Sequence, residues 1–135
     1  MNGVKVSSEA SIDGTRRTVA VLGANPNPER YSNMAIALLK ERGFSVVPIH
    51  PALPEIHGLQ VAKRLGDIGH EIHTLTLYVG ARHLPPLLDD IKRLAPRRVI
   101  FNPGTENTEV IEALSEAGID CVEGCTLVML KTGQF

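Results

Sequence analysis

Thr18-Val19-Ala20-Val21-Leu22-Gly23 is the stretch on which the fold turns. Five apolar, largely β-branched residues without polar alternation suit a strand buried on both faces, as in a parallel sheet covered by helices. Gly23 then lets the backbone turn sharply. Beyond the loop Ala24-Asn25-Pro26-Asn27-Pro28-Glu29-Arg30-Tyr31, Ser32 is predicted to cap a helix. Met34, Ile36, Ala37, Leu38 and Leu39 supply its apolar side, and Gly43 its stop. One strand and one helix make a βα unit that begins near Arg17; residues 1–16 lack periodicity and read as a flexible tail.

The same alternation continues to the end of the chain. Phe44-Ser45-Val46-Val47-Pro48-Ile49 reads as a second strand whose pairing should stop near Pro48. Residues 55–69 are the least legible, with a short helix expected over 59–65. Residues 74–79 form a third strand, and Pro85-Pro86 open a helix over 84–94. Arg98-Val99-Ile100-Phe101 is a fourth strand; a helix carrying Val110, Ile111 and Leu114 follows, closed by Gly118, and residues 119–122 are a fifth. Residues 126–130 read as a sixth strand or a docked segment. The expectation is an α/β domain over 17–135: a Rossmann-like doubly wound parallel sheet of five to six strands with helices on both faces. Ligands of such sheets bind beyond the carboxyl ends of the strands, where loops 23–32, 50–57, 79–84 and 102–107 converge.

Composition narrows the partners. In 135 residues, 14 Lys+Arg stand against 15 Asp+Glu, so there is no basic field for nucleic acid or an anionic membrane. Zero Trp and few other aromatics leave little for stacking bases. No apolar run approaches the roughly 18 residues needed to span a bilayer. Cys121 and Cys125 make neither a zinc set nor a disulfide framework, which fits a reducing cytoplasm. His70 and His73 read as surface histidines rather than a metal pair, and Asp89-Asp90 as solvent-facing. Neither a metal site nor a catalytic set is expected. Whether residues 126–130 cover their own sheet edge or that of a second copy in a homo-oligomer stays open.

Two loops discriminate among ligands. The Gly23 turn can present amides of its loop and of the next helix to a phosphate, so Gly23→Val should damage binding more than folding. It has one glycine where a dinucleotide fingerprint has three, and two prolines without amide hydrogens. At the end of the second strand, where a nicotinamide-dinucleotide fold places an acid for the ribose, stands His50. A protonated His50 could instead donate to a phosphate on the ribose.

Val21-Leu22-Gly23-Ala24-Asn25 with Pro28, Arg30-Tyr31-Ser32, and Gly43-Phe44-Ser45-Val46-Val47-Pro48-Ile49-His50-Pro51 resemble the CoA-binding domain family. That family includes small stand-alone proteins and the first domain of the succinyl-CoA synthetase α subunit. Gly58, Leu65-Gly66-Asp67-Ile68 and Asn102-Pro103-Gly104-Thr105 extend the resemblance over about residues 17–130. It implies coenzyme A lying across the strand ends. Gly23, Ala24, Asn25, Arg30, Tyr31 and Ser32 would hold the phosphates and His50 and Pro51 the adenosine end, with Val79, Gly80, Asn102, Pro103 and Gly104 completing the site. Asn25 replaces a frequent Ser, and His50-Pro51 a frequent Asn-Pro. The resemblance implies binding of CoA or an acyl-CoA without autonomous catalysis, since the family's ligases carry their phosphorylated histidine on a second domain. Competing readings are an NAD(P)-dependent oxidoreductase or CoA-linked transferase, and a regulatory protein with a degenerate nucleotide site.

Overall fold

The computed structural model describes residues 17–135; the expected tail over 1–16 lies outside them. The chain runs β1 (Thr18–Leu22), α1 (Tyr31–Glu41), β2 (Ser45–Ile49), β3 (Glu55–Ile56), β4 (Leu59–Gln60), β5 (Thr74–Leu77), α2 (Leu88–Leu94), β6 (Arg98–Phe101), α3 (Thr108–Glu116), β7 (Asp120–Glu123) and α4 (Thr126–Lys131). Five strands form one parallel sheet in the order β2-β1-β5-β6-β7. The chain leaves β1 outward to β2, then returns past β1 to β5. The reversal puts a topological switch point between β1 and β5, the crevice in which such sheets take ligands.

Side-chain alternation sorts the sheet's two faces. Ala20, Leu22, Leu75, Leu77, Val99 and Phe101 pack with Ile91 of α2 and Val110 and Leu114 of α3. Val19, Val21 and Val46 pack with Ile36 and Leu39 of α1 and Leu130 of α4. The continuous apolar run of β1 is thus explained by cover on both sides, each fully buried aliphatic side chain contributing about 1.5–3 kcal/mol. At the amino end of the sheet the last residue folds under. The Phe135 ring meets Phe44 edge-on at 5.1 Å and lies beneath the Arg98 guanidinium at 4.4 Å.

Of the two readings of residues 126–130, the docked segment holds: they form helix α4 on α1's side, and the sheet has five strands. Other expectations are corrected. The short helix expected over 59–65 is instead an antiparallel hairpin, β3 paired with β4, followed by a 3-10 turn at Leu65–Asp67. Its cause is the His57-Gly58 pair, both at positive φ (53° and 75°), the geometry of a two-residue hairpin turn. Pro48 does not end pairing: β2 stays in register with β1 through Ile49. β2 is an edge strand, and the Pro48 carbonyl accepts from the Ala62 amide at 2.9 Å, so the missing N–H also faces away from β1. The helix expected over 84–94 is α-helical only over Leu88–Leu94; its start is a 3-10 turn at Pro85–Leu87, since Pro85 and Pro86 have no amide hydrogens to give, and a separate 3-10 turn at Ala81–His83 precedes it. The third strand stops at Leu77, two residues early.

Candidate functional site

The turn out of β1 is closed by neighbouring backbone. Gly23 has φ 88°, and a Cβ there would lie 2.9 Å from the carbonyl carbon and oxygen of Tyr78 and 3.0 Å from Val79 Cγ1. Glycine is therefore required for β1 and β5 to close together, so the expected binding-selective effect of Gly23→Val is replaced by a folding effect. The loop's own amides are mostly occupied. Ala24 donates to the Ile49 carbonyl (3.2 Å), Asn27 to Asn25 Oδ1 (2.9 Å), Glu29 to Asn27 Oδ1 (2.9 Å) and Arg30 to the Asn27 carbonyl (3.0 Å). Two nested side-chain turns thus carry the chain from Gly23 to α1.

What remains open is the start of α1. The helix begins at Tyr31 with Arg30, not Ser32, in the N-cap position, and no side chain caps it. Its first-turn N–H groups have no intrahelical partners, and no acidic residue stands among them. An anion there gains about 0.3–1 kcal/mol from the helix dipole beyond its hydrogen bonds. Arg30 and Tyr31 are exposed beside it, whereas Ser32 is buried inside the first turn.

The neighbouring lanes differ. His50 is half-buried at the end of β2, and its Nδ1 accepts from the amides of Ala52 (3.0 Å) and Leu53 (3.1 Å). Amides only donate, so Nδ1 is the acceptor and the ring's hydrogen sits on Nε2. The charge-assisted contact expected from a protonated His50 would require giving up both amide bonds. Pro51 beside it is exposed. Val79 packs against Gly23; Gly80 is exposed, and its carbonyl accepts from His83.

Beyond β6, Asn102 is buried and its amide fully engaged. Nδ2 donates to Thr76 Oγ1 and the Leu77 carbonyl, both at 2.7 Å, and Oδ1 accepts from the Thr126 amide at 2.9 Å. Asn102 is a strut that joins β5, β6 and α4. Pro103 and Gly104 are exposed, but Gly104's amide donates to Glu106 Oε1 at 2.9 Å, and Asn107 caps α3 by accepting from Val110. Asn107 Nδ2 also donates to the Ala81 carbonyl, fastening the third loop to the fourth.

The candidate residues therefore share one end of the sheet in the lane order His50, Gly23, Val79, Asn102. Neighbouring lanes are about 4.8 Å apart, so the row spans roughly 14 Å. Two cavities lie elsewhere: one of about 520 Å³ beside the β2 edge, lined among others by Val47, Ala62, Lys63 and His70, and one of about 430 Å³ around Cys125 and Met129.

Two polar residues in this region escape sequence reasoning. Tyr78 follows β5 directly at the switch point; its hydroxyl is buried without a well-formed hydrogen bond, and burial pushes its pKa up to about 12. Asn33 is buried on α1 and donates through Nδ2 to the Asn25 carbonyl at 2.8 Å. The signal for Asn33 was available, since an amide three residues before Ile36 shares the helix's buried stripe.

Outside the row, His73 is not the surface histidine expected. It is half-buried and bonded to Thr74 Oγ1 at 2.8 Å; burial, with Arg17, Arg98 and Arg97 nearby, lowers its pKa to about 4. Both cysteines are free and half-buried, and burial raises the pKa of Cys121. Among the described residues no group of three or more His, Cys, Asp or Glu could hold a metal ion, and no helix is long and apolar enough to cross a membrane.

The fold recurs in known proteins. A solved structure titled only as an uncharacterized protein is 40% identical, covering 89% of this chain and 98% of its own with a TM-score of 0.83. The uncharacterized protein YneT of Bacillus subtilis is 22% identical over 102 residues, 76% of each chain. A part of an acetyl-coenzyme A synthetase of Ca. Korarchaeum cryptofilum, solved with phosphate and ADP, shares the fold at 19% identity and a TM-score of 0.71, covering 80% of this chain and 25% of that one. The model of the CoA binding domain matches residues 17–131, and the chain belongs to that family.

Proposed function

We propose that this domain binds coenzyme A or an acyl-CoA across the carboxyl ends of its strands and supplies no nucleophile of its own. The observation that carries the reading is the open start of α1. In the same row α3 is capped by Asn107 and α4's first amide is held by Asn102, while α1 offers uncapped N–H groups, no first-turn acid and an exposed Arg30. A pyrophosphate fits there. Glu106 on Gly104 makes the fourth loop unfavourable for phosphate and suits the uncharged pantetheine arm. The adenosine end then falls at His50-Pro51, where the neutral Nε2–H gives one donor for the ribose phosphate. Gly23, Ala24 and Asn25 serve by shaping the turn, Tyr31 and Ser32 through their amides, and Val79, Gly80 and Pro103 as the floor of the track.

Thermal unfolding with CoA, acetyl-CoA and NAD tests this reading. A ligand that binds only the native state adds RT ln(1 + [L]/Kd), about 2.7 kcal/mol at a hundredfold excess over Kd. The expected result is a rise in Tm with CoA or acetyl-CoA and none with NAD; a rise with NAD alone would overturn it.

A further inference from the structure

The tip of the β3–β4 hairpin reaches the candidate anion loop through an unbroken hydrogen-bond relay. His57 Nε2 lies 2.7 Å from Asn33 Oδ1, Asn33 Nδ2 donates to the Asn25 carbonyl at 2.8 Å, and Asn25 Oδ1 accepts from the Asn27 amide at 2.9 Å. Asn27 then holds the amides of Glu29 and Arg30, the residue at the N-cap of α1. Directions are fixed along the way: because Nδ2 of Asn33 faces a carbonyl, its Oδ1 faces His57, which must donate. Lys40 Nζ, two turns further along α1, anchors the tip by donating to the His57 carbonyl at 2.6 Å.

His57 also occupies a costly position. Its φ is 53°, in a turn whose chemistry selects Asn-Gly or Asp-Gly. Asn there would suit the turn better but is too short to reach Asn33. We propose that His57 is a positioning residue, which sets the Asn25–Arg30 loop, and with it the open start of α1, through Asn33. The inference rests on the reading of that loop as the phosphate site of a CoA-binding domain. Bonds in such a relay polarise one another, so loss of the first donor loosens the rest.

The test compares wild type with His57→Asn, Asn33→Ala and the double variant, measuring CoA affinity by calorimetry, thermal unfolding, and hydrogen exchange of the loop amides. His57→Asn should unfold at the wild-type temperature or higher yet bind CoA about fivefold more weakly, about 1 kcal/mol. The double variant should lose no more affinity than Asn33→Ala alone. CoA affinity of His57→Asn within twofold of wild type, or losses that multiply in the double variant, would overturn the relay. If wild type binds no CoA, the ligand reading fails separately, and exchange decides the relay. Faster exchange at the Asn27 and Glu29 amides in His57→Asn supports it; unchanged exchange overturns it.

Discussion

The β1–α1 and β6–α3 connections occupy lanes of the same sheet end, and each turns directly into a helix, yet they are built to opposite purposes. After β6, Asn107 caps α3 and Glu106 takes Gly104's amide. After β1, side-chain turns absorb the loop amides and stop short of the helix, whose first N–H groups are left open. Topology brings both loops to the crevice, but internal acceptors decide which of them can receive an anion. Counting cations would mislead here. Arg17 and Arg98 lie at the other end of the sheet with their guanidinium groups directed at the Phe135 carbonyl and ring.

The largest expected effects test whether the turns in these two lanes are structural. Gly23→Val places a branched side chain against Tyr78's carbonyl at positive φ and should cost about 4 kcal/mol, read from urea unfolding. A folded variant of wild-type stability would show that β1 and β5 do not need the close approach. Asn102→Leu removes two donated bonds and one accepted bond from a buried cluster, leaving the Thr126 amide and the Leu77 carbonyl without these partners. A loss of about 3 kcal/mol is expected. A loss below about 1 kcal/mol would remove the strut role.

Sequence reasoning reached the parallel sheet because β1 is apolar on both faces and strands alternate with helices along the chain, and it pointed to a candidate site because strand ends follow from strand order. It missed the hairpin, whose strands of two residues are too short for a period and whose His57-Gly58 turn departs from the usual Asn-Gly. It could not show that Gly23 and Asn102 also have structural roles, at the close approach of β1 to β5 and as a strut between β5, β6 and α4. Sequence shows which polar groups are present, while their occupation depends on partners such as Tyr78 and Thr126, 55 and 24 residues away in sequence. Tyr78 itself read as one more strand residue.

A smaller effect, of opposite sign for stability and binding, sharpens the contrast between open and closed helix starts. Arg30→Asp puts an acceptor at the N-cap of α1 and should stabilise the fold by about 1 kcal/mol, as other caps do. It fills the anion's place and reverses its charge, so CoA affinity should fall at least about tenfold, equivalent to 1.4 kcal/mol. Asn107→Ala is the converse. It uncaps α3 and releases the Ala81 carbonyl, should cost about 1–2 kcal/mol, and, because no phosphate is assigned to that loop, should leave CoA affinity within about twofold. Affinity unchanged in Arg30→Asp, or lost in Asn107→Ala, would break the comparison.

The smallest effect concerns the neighbouring lane, where His50 both closes a turn and offers a donor. Its Nδ1 holds the amides of Ala52 and Leu53, which leaves Nε2–H as the ring's donor, and one neutral hydrogen bond contributes about 1 kcal/mol. His50→Ala should therefore weaken CoA about fivefold and dephospho-CoA less, since only CoA carries the ribose phosphate. His50→Asn should restore both affinities to within about twofold, because an Asn oxygen can accept the same two amides while its nitrogen donates. Calorimetry of CoA and dephospho-CoA with wild type, His50→Ala and His50→Asn measures this. Equal losses for the two ligands in His50→Ala, or no recovery in His50→Asn, would take His50 out of the adenosine site and leave it only as the residue that closes its own turn.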